Sequence, residues 1–151
     1  MNRSAALAPL SRDHQHALDA ALRLRRTTPA DTRAGVEHFL AFWTAEGRRH
    51  FEIEEGHLLD ALARDDDEWA HAVERVERDH ADIRAMAAEL TAGPSEEATD
   101  LAHRLGTLLH DHVRFEEREL FRLLEERLAD DELRRLGERV AAAEAAPRDA
   151  G

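Results

Sequence analysis

The sequence predicts an all-α protein, an antiparallel up-down four-helix bundle followed by a short fifth helix. Its composition, 42% apolar and 36% charged with only 5% aromatic residues and seven glycines, suits amphipathic helices better than strands. Apolar residues also recur at steps of three and four in four long stretches, and proline, glycine and aspartate turns separate these stretches. The turns exclude one long coiled coil, which needs unbroken heptads. A length of 151 residues is typical of one domain, so we expect a single domain over residues 1–151.

Turn chemistry predicts the bounds of the first two helices. Ser11 is a plausible N-cap, and helix 1 runs from it to about Arg26, before the break at Pro29. Helix 2 follows over about residues 31–64, a length of about 50 Å. We expect it to bend at its glycines, Gly47 and Gly56.

Three further helices follow in the second half of the chain. The acidic run at residues 65–67 caps helix 3, which covers about residues 68–90 and stops at the Gly-Pro break in "TAGPS". Ser95 is the next N-cap, and helix 4 covers about residues 96–127. The segment "DDELRRLGERVAAAEA" reads as a short C-terminal helix over about residues 130–146.

Charge and composition exclude several classes of function. The formal net charge is −12 and basic residues alternate with acidic ones along the chain, so we expect no nucleic-acid partner. The chain has no cysteine, which excludes disulfides, thiolate metal sites and cysteine nucleophiles. No apolar run approaches the roughly 20 residues that span a bilayer, and the N-terminus does not resemble a secretory signal. We therefore expect a cytoplasmic protein without a membrane partner.

Each predicted buried stripe carries a histidine near its middle, and two stripes also carry a glutamate four residues later. Ionisable groups in a core are unfavourable by several kcal/mol unless they are paired, hydrogen-bonded or bound to a metal. Histidines satisfied by hydrogen bonds without metal are the alternative, but a buried glutamate has no comparable neutral default in a helix core. We take the six side chains as candidate metal ligands: His14, His50, Glu54, His80, His112 and Glu116.

An internal repeat strengthens this interpretation. The segments "HFEIEEGHLLDAL" and "HVRFEERELFRLL" superpose at an offset of 62 residues, which matches His50 with His112 and Glu54 with Glu116. The tripeptide "RDH" at residues 12–14 also recurs at 78–80. Two helix pairs related by a pseudo-twofold axis would place four histidines and two glutamates around one centre.

The remaining histidines divide into two groups. His57 lies three residues after Glu54 on the same face, and we leave three roles open for it: hydrogen-bond partner of a ligand, weak extra ligand, or a filler above the site. The others lie off the buried stripes and are expected to face solvent: His16, His38, His71, His103 and His110.

Imidazole and carboxylate ligands without sulfur suit iron, manganese or zinc. Carboxylates that bridge two ions favour a dinuclear site in a helical bundle. The combination resembles the hemerythrin-like, or HHE cation-binding, domains, in which a histidine of helix 1, His-x-x-x-Glu of helix 2, a histidine of helix 3 and His-x-x-x-Glu of helix 4 hold two irons. The resemblance covers about residues 8–128, and its specificity lies in the whole set rather than in any one motif.

The resemblance implies a role for each candidate residue. His14 and His50 would bind one iron and His80 and His112 the other, while the two glutamates would bridge them beside an oxo or hydroxo group. Two iron ions are thus the expected cofactor, with manganese or zinc as less favoured occupants. An apolar sheath that includes Trp43 and Leu108 would limit water.

The sequence departs from the oxygen-carrying hemerythrins at two places. The carriers have a second histidine on helix 3, where this chain has Val76 or Arg84, and they use His-x-x-x-x-Asp on helix 4. Two imidazoles, two carboxylate oxygens and one bridging oxygen leave one vacancy on each octahedral ion. We therefore expect both irons to be open to a small ligand.

The sequence leaves three functions open. The first is a non-haem di-iron protein that binds or reacts with O2, nitric oxide or peroxide, as a sensor or binding module or as an enzyme. The second is iron storage, or iron donation in the repair of iron–sulfur clusters. The third is a structural metal-bound bundle that acts through protein interaction. The protein partner and the oligomeric state stay open.

Overall fold

The structure, a computed structural model, describes residues 4–93 and 98–147. Its regular elements are all helical, and no strand occurs within these two ranges, which confirms the predicted all-α class. None of the helices there combines the length and the apolar character that crossing a bilayer requires. The α-helices, in chain order, are α1 (Ala8–Arg25), α2 (Thr32–Phe42), α3 (Arg48–Ile53), α4 (Asp67–Thr91), α5 (Ala98–Phe115), α6 (Phe121–Arg127) and α7 (Asp130–Ala145).

Three π-helical segments join these helices into longer rods. Trp43–Gly47 connects α2 to α3, Glu54–Leu58 extends α3, and Glu116–Leu120 connects α5 to α6. The backbone keeps right-handed helical angles at the residues that flank each segment. We call each continuous helical stretch a rod and number the rods in the order of the predicted helices. The second rod covers residues 32–58 and the fourth rod covers residues 98–127. With α1, α4 and α7, these two rods make up the five helical stretches that the sequence predicts, counted over the described residues. The antiparallel up-down order of the bundle stays a prediction.

The first helix begins earlier than Ser11, so the predicted N-cap is wrong. The side chain of Ser4 caps a 3-10 turn, Ala5–Leu7, which leads directly into α1. Pro9 stands in the first turn of α1, where a missing backbone N–H is tolerated. Ser11 lies inside the helix, and its hydroxyl donates to the carboxylate of Glu117 at 3.0–3.1 Å.

The second helical stretch ends at Leu58 and not near Arg64 as predicted. The N–H of Leu59 still donates to the carbonyl of Glu54 at 3.1 Å, and the chain then leaves the helix. Leu58 and Leu59 are both buried, at 0% and 3% exposure. Both leucines pack into the apolar core where the helical stretch ends.

The acidic turn before α4 caps that helix as the sequence predicts. The side chain of Asp66 accepts a hydrogen bond from the N–H of Trp69 at 3.1 Å. At the other end, Gly93 has a φ of +147°, a conformation that favours glycine. The predicted N-cap Ser95 and the predicted start of helix 4 at Glu96 lie outside the described residues.

The apolar core consists of two clusters. The leucine-rich cluster contains Leu7, Leu10, Ile53, Leu58, Leu59, Trp69, Ala72, Val73, Val76, Leu120, Phe121, Leu123, Leu124, Leu133, Leu136 and Val140. The alanine-rich cluster contains Ala17, Ala20, Ala21, Leu24, Val36, Phe39, Trp43, Phe51, Ile83, Ala87, Leu90, Ala98, Ala102, Leu105, Leu109 and Val113.

Small residues let α1 and α5 approach closely within the alanine-rich cluster. A Cβ atom added at Gly106 would lie 2.8 Å from the carbonyl oxygen of Ala21 and 3.0 Å from the backbone nitrogen of Arg25. Such distances are too short for van der Waals contact, so glycine is needed there. The close approach fixes α1, which carries His14, against the fourth rod, which carries two other candidate ligands.

Candidate metal centre

The structure brings the six candidate ligands together in the interior. Each of the first four helical stretches contributes at least one of them, namely α1, the second rod, α4 and the fourth rod. All six are buried, with exposures of 2% for His14, 7% for His50, 0% for Glu54, 0% for His80, 1% for His112 and 0% for Glu116.

The six residues form two groups that share their glutamates. One group contains His14 and His50 with both glutamates, and the other contains His80 and His112 with the same two glutamates. Within each group one potential ligand atom per residue lies within 4.8 Å of the others. We call these groups the His14/His50 position and the His80/His112 position. This pairing of histidines is the one that the resemblance implies, and two shared carboxylates suit a pair of ions.

The Nε2 atoms of all four histidines face the two glutamates. The shortest separations are 3.0 Å from His14 Nε2 to Glu116 Oε1 and 3.1 Å from His80 Nε2 to Glu54 Oε1. His50 Nε2 lies 3.3 Å from Glu54 Oε2, and His112 Nε2 lies 3.3 Å from Glu116 Oε1.

Four buried atoms at this centre have no hydrogen-bond partner among the described residues. They are His50 Nε2, His112 Nε2 and one carboxylate oxygen from each glutamate. Buried polar atoms are nearly always satisfied, so a cluster of unsatisfied nitrogen and oxygen atoms needs an explanation. All four are ligand atoms of the types that bind transition metals, and the residues therefore fit a metal pair.

A ring of outer carboxylates orients the four imidazoles. Each Nδ1 atom lies beside a carboxylate oxygen, which directs the Nε2 atom of the same ring towards the centre. The Nδ1–oxygen distances are 3.0 Å for His14 with Glu117, 3.1 Å for His50 with Asp13, 2.7 Å for His80 with Glu55, and 3.1 Å for His112 with Asp79.

These outer carboxylates were not predicted as functional residues, although the repeat contains their signal. Asp13 and Asp79 precede the single histidines in the two "RDH" tripeptides, and Glu55 and Glu117 follow the shared glutamates at the offset of 62 residues. In the structure each one serves a histidine of a neighbouring helix, which a helical wheel of one segment does not reveal.

Both shared glutamates begin a π-helical segment. Glu54 opens the segment Glu54–Leu58 and Glu116 opens Glu116–Leu120. Single π-helical turns inside α-helices occur often at functional sites, where the wider turn changes the direction of nearby side chains. The repeat therefore extends from the sequence to the local backbone, and the two halves present their carboxylates in the same way.

The histidines and glutamates of the centre shift one another's pKa values when no metal is bound. Burial opposes the charged form of His112, but the carboxylates of Glu116 and Asp79 outweigh burial and raise its pKa to about 10. Against the same effect of burial, Glu54 and Asp13 raise the pKa of His50 well above its usual value. Burial likewise opposes ionisation of Glu116, yet the neighbouring imidazoles hold its pKa well below the normal range. A proton on His112 therefore offsets part of the glutamate charge when no cation is bound.

The other histidines lie outside both groups. None of the five that were expected to face solvent is buried, and His16 is 61% exposed beside Glu46. His103 is half-buried and its Nε2–H donates to the carbonyl of Thr27 at 2.6 Å. His57 is half-buried and belongs to neither group of potential ligands.

A narrow pocket reaches the centre from the alanine-rich side. It has space for about one water-sized molecule and is lined mainly by apolar side chains. Trp43 is in this lining as expected, but Leu109 takes the place that was predicted for Leu108, because steps of three and four along a helix are both allowed. The pocket touches His14, His50 and His112. The ring of Phe51, which also lines the pocket, stacks on His80 at a centroid distance of 3.7 Å.

One comparison with known proteins gave a match. The sequence model of a family described as the hemerythrin HHE cation binding domain matches residues 6–124, which include all six candidate ligands and all four outer carboxylates. Comparisons with curated proteins and with solved structures gave no match.

Proposed function

The chain belongs to the hemerythrin HHE cation-binding family, and we propose that its buried centre holds two iron ions that bind or react with O2, nitric oxide or peroxide. The observation that carries the proposal is the pair of histidine groups that share Glu54 and Glu116, with unsatisfied ligand atoms at their meeting point. A redox-active pair of irons would supply electrons to a small oxidant and a coordination position for it.

The chemistry of the ligand set is compatible with iron. Each position offers two imidazole nitrogens and carboxylate oxygens, with no sulfur, since the chain contains no cysteine. Such a set suits iron or manganese and also accepts zinc. Two shared carboxylates would bridge the ions and offset part of their charge inside an apolar core.

The residues around the centre would hold the ligands in place and limit water. The outer carboxylates fix the orientation of the imidazoles and increase the basicity of these imidazoles as metal ligands. The apolar lining of the pocket, including Trp43 and Leu109, leaves room for little more than one small molecule. A small, weakly polar ligand enters such a pocket without a large desolvation penalty, which supports O2 or nitric oxide as the external ligand.

The number of protein ligands supports an open centre. Each position receives two imidazoles and two shared carboxylates, which leaves an ion that prefers six ligands with room for others. Val76 is buried in the leucine-rich cluster, and Arg84 pairs with Glu55, so neither adds a ligand on α4. We infer that this chain favours reaction or sensing over reversible oxygen carriage.

Metal analysis and an optical spectrum test the proposal directly. Protein from iron-supplemented cells should contain two irons per chain, and its absorption should change on addition of azide, nitric oxide or hydrogen peroxide. His14→Gln should reduce the iron content, whereas His16→Gln, two residues away and exposed, should leave it unchanged. The proposal would be refuted if no iron were bound, or if the absorption of the bound iron did not change with azide, nitric oxide or hydrogen peroxide. Transfer of the iron to an apo acceptor in place of reaction would favour the iron-donation alternative.

A further inference from the structure

The pocket that reaches the centre is lined by the largest side chain and by a glycine in the same helical turn. Trp43 and Gly47 stand at the two ends of the π-helical segment Trp43–Gly47. The indole lies against the backbone of Gly47, because a Cβ atom added there would lie 2.7 Å from Cε3 and 3.3 Å from Cζ3 of Trp43. Glycine destabilises a helix interior relative to alanine, so the contact with the indole gives a reason for glycine at this position.

Two aromatic rings hold the indole of Trp43 in this place. The ring of Phe39 stacks on it at a centroid distance of 6.1 Å, and the ring of Phe51 contacts it edge-on at 5.3 Å. Trp43 is buried, and all three aromatic residues belong to the alanine-rich cluster. A side chain packed between two rings and a helix backbone has little freedom to move, because protein interiors are close-packed. The indole therefore forms a rigid wall of the pocket.

The internal repeat shows that the ligand frame does not require this pair of residues. At the offset of 62 residues, Trp43 corresponds to Leu105 and Gly47 corresponds to Leu109. Both leucines are buried in the alanine-rich cluster. Two leucines therefore fill the equivalent places in the second half of the chain. The tryptophan on a glycine is thus a property of this pocket and not of the repeated ligand arrangement.

We propose, on the basis of the proposed metal pair, that Trp43 determines which external ligands the pocket accepts: its indole, seated on Gly47, admits small linear molecules and excludes branched or cyclic ones. The pocket has space for about one water-sized molecule. It borders His14, His50 and His112, so a molecule inside it reaches the candidate metal ligands, whereas a larger molecule would overlap the indole. Such a clash rejects the wrong ligand without any contact that favours the right one.

Ligand binding to the Co2+-loaded protein tests this inference without any redox reaction. Azide is a linear molecule and imidazole is a ring, and both bind Co2+ through nitrogen, so absorption titrations compare them directly. The wild type should respond to azide and not to imidazole. Trp43→Leu should raise the ratio of imidazole affinity to azide affinity by about tenfold or more. Trp43→Phe keeps a smaller ring and should give an intermediate ratio.

Trp69→Phe is the matched control for a changed tryptophan. Trp69 is fully buried in the leucine-rich cluster and does not line the pocket, so this variant should keep the affinity ratio of the wild type.

The contact between Trp43 and Gly47 has a test of its own in the metal-free protein. Gly47→Ala should lower the stability against denaturant in the wild-type background, because the new methyl group would overlap the indole. The same substitution should cause a smaller loss in the Trp43→Leu background, where the indole is absent. Unfolding of the two single variants and the double variant measures this coupling.

The outcomes separate this inference from the proposed function. A wild type that responds to imidazole as readily as to azide, or to neither, would overturn the inference and leave the proposed function intact. Trp43 variants with an unchanged ratio, or an equal loss from Gly47→Ala in both backgrounds, would do the same. The expected ratios in a protein whose iron form does not react with O2, nitric oxide or peroxide would refute the proposed function alone. No binding of Co2+ or iron would overturn both.

Discussion

The centre of the molecule and the leucine-rich cluster differ in what stabilises them. The cluster consists of apolar side chains that pack against one another, and the indole nitrogen of Trp69 is a buried atom in it that lacks a hydrogen-bond partner among the described residues. The centre holds six buried ionisable side chains, of which four atoms lack a hydrogen-bond partner among the described residues. Along each helix that contributes ligands, the centre lies between members of the leucine-rich and alanine-rich clusters.

This difference indicates which residues specify the fold and which specify the function. Burying a leucine or phenylalanine stabilises the folded chain by about 1.5–3 kcal/mol, whereas buried charges are at best neutral unless they are well paired. The apolar clusters on both sides therefore stabilise the fold, and the centre is retained for what it binds. Substitutions in the two regions should have separable effects on stability and on metal binding.

The largest effect on stability is expected from Leu105→Ala in the alanine-rich cluster. Leu105 is fully buried, so its truncation leaves a cavity and should lower the free energy of unfolding by about 2–5 kcal/mol. Denaturant unfolding of the metal-free protein measures this loss. Leu22→Ala, at a leucine that is 41% exposed, should change stability by less than about 0.5 kcal/mol. Leu105→Ala should keep the metal content of the wild type, and a loss of metal would contradict the separation of the two regions.

Glu116→Gln should reduce the stabilisation that metal provides, which is the quantity that Leu105→Ala should leave unchanged. Addition of metal at 100 times its dissociation constant should stabilise the wild type by about 2.7 kcal/mol for each occupied position, because the ions bind only the folded chain. Glu116 contributes to both positions, and an amide is a poor bridging ligand, so the variant should lose most of this gain. Thermal unfolding with and without metal measures it. Leu105→Ala serves as the comparison and should keep the gain, whereas an unchanged gain in Glu116→Gln would contradict the role of the carboxylate.

The sequence predicted that these six side chains converge because they obey helical periodicity, and their role as metal ligands stays a prediction. Positions separated by three or four residues share a face, and the repeat showed that two such faces are equivalent. The outer carboxylates escaped prediction because each acts across a helix interface: Asp13 belongs to α1 but serves His50 of the second rod. The charged neighbours of these carboxylates, such as Arg84 and Glu144, depend even more on how the helices pack.

Local backbone features were predicted less well. A helical wheel assumes a constant angle of about 100° per residue, and the π-helical segments at Glu54 and Glu116 break this assumption. Ser11 has the side chain of an N-cap, but the chain upstream already forms a helix, so its hydroxyl bonds with Glu117 instead. Propensity alone does not decide such cases, because tertiary contacts override it.

Metal binding should release protons, a property that the apolar clusters cannot share. The pKa of His112 is about 10 in the metal-free protein, so this imidazole carries a proton at pH 7, and neighbouring carboxylates also raise the pKa values of His14 and His50 against the effect of burial. A protonated imidazole must lose its proton to bind a cation. Calorimetric titration in two buffers with different ionisation enthalpies should therefore detect a release of protons. Affinity should rise about tenfold per pH unit for each released proton. A pH-independent affinity between pH 6 and pH 8 would contradict this charge state.

The smallest effect is expected where the centre meets solvent, at Glu144. Burial raises the pKa of this carboxyl from 4.5 to about 7, and the adjacent Asp13 adds to the increase. The folded chain therefore holds a proton that the unfolded chain has lost, and stability should fall as pH rises from 4.5 to about 7. Because Glu144 is half-buried, solvent screening reduces the effect to about 1 kcal/mol.

Glu144→Gln tests this decline, because the amide does not titrate. Unfolding of the metal-free protein should give equal stabilities for wild type and variant near pH 4, and a variant more stable by about 1 kcal/mol above pH 7. Glu138→Gln, at an exposed residue of the same helix, should follow the wild type. A variant that is less stable above pH 7 would contradict the raised pKa. A stability that depends on the titration of one carboxyl group is what distinguishes the rim of the centre from the apolar clusters, where packing determines stability.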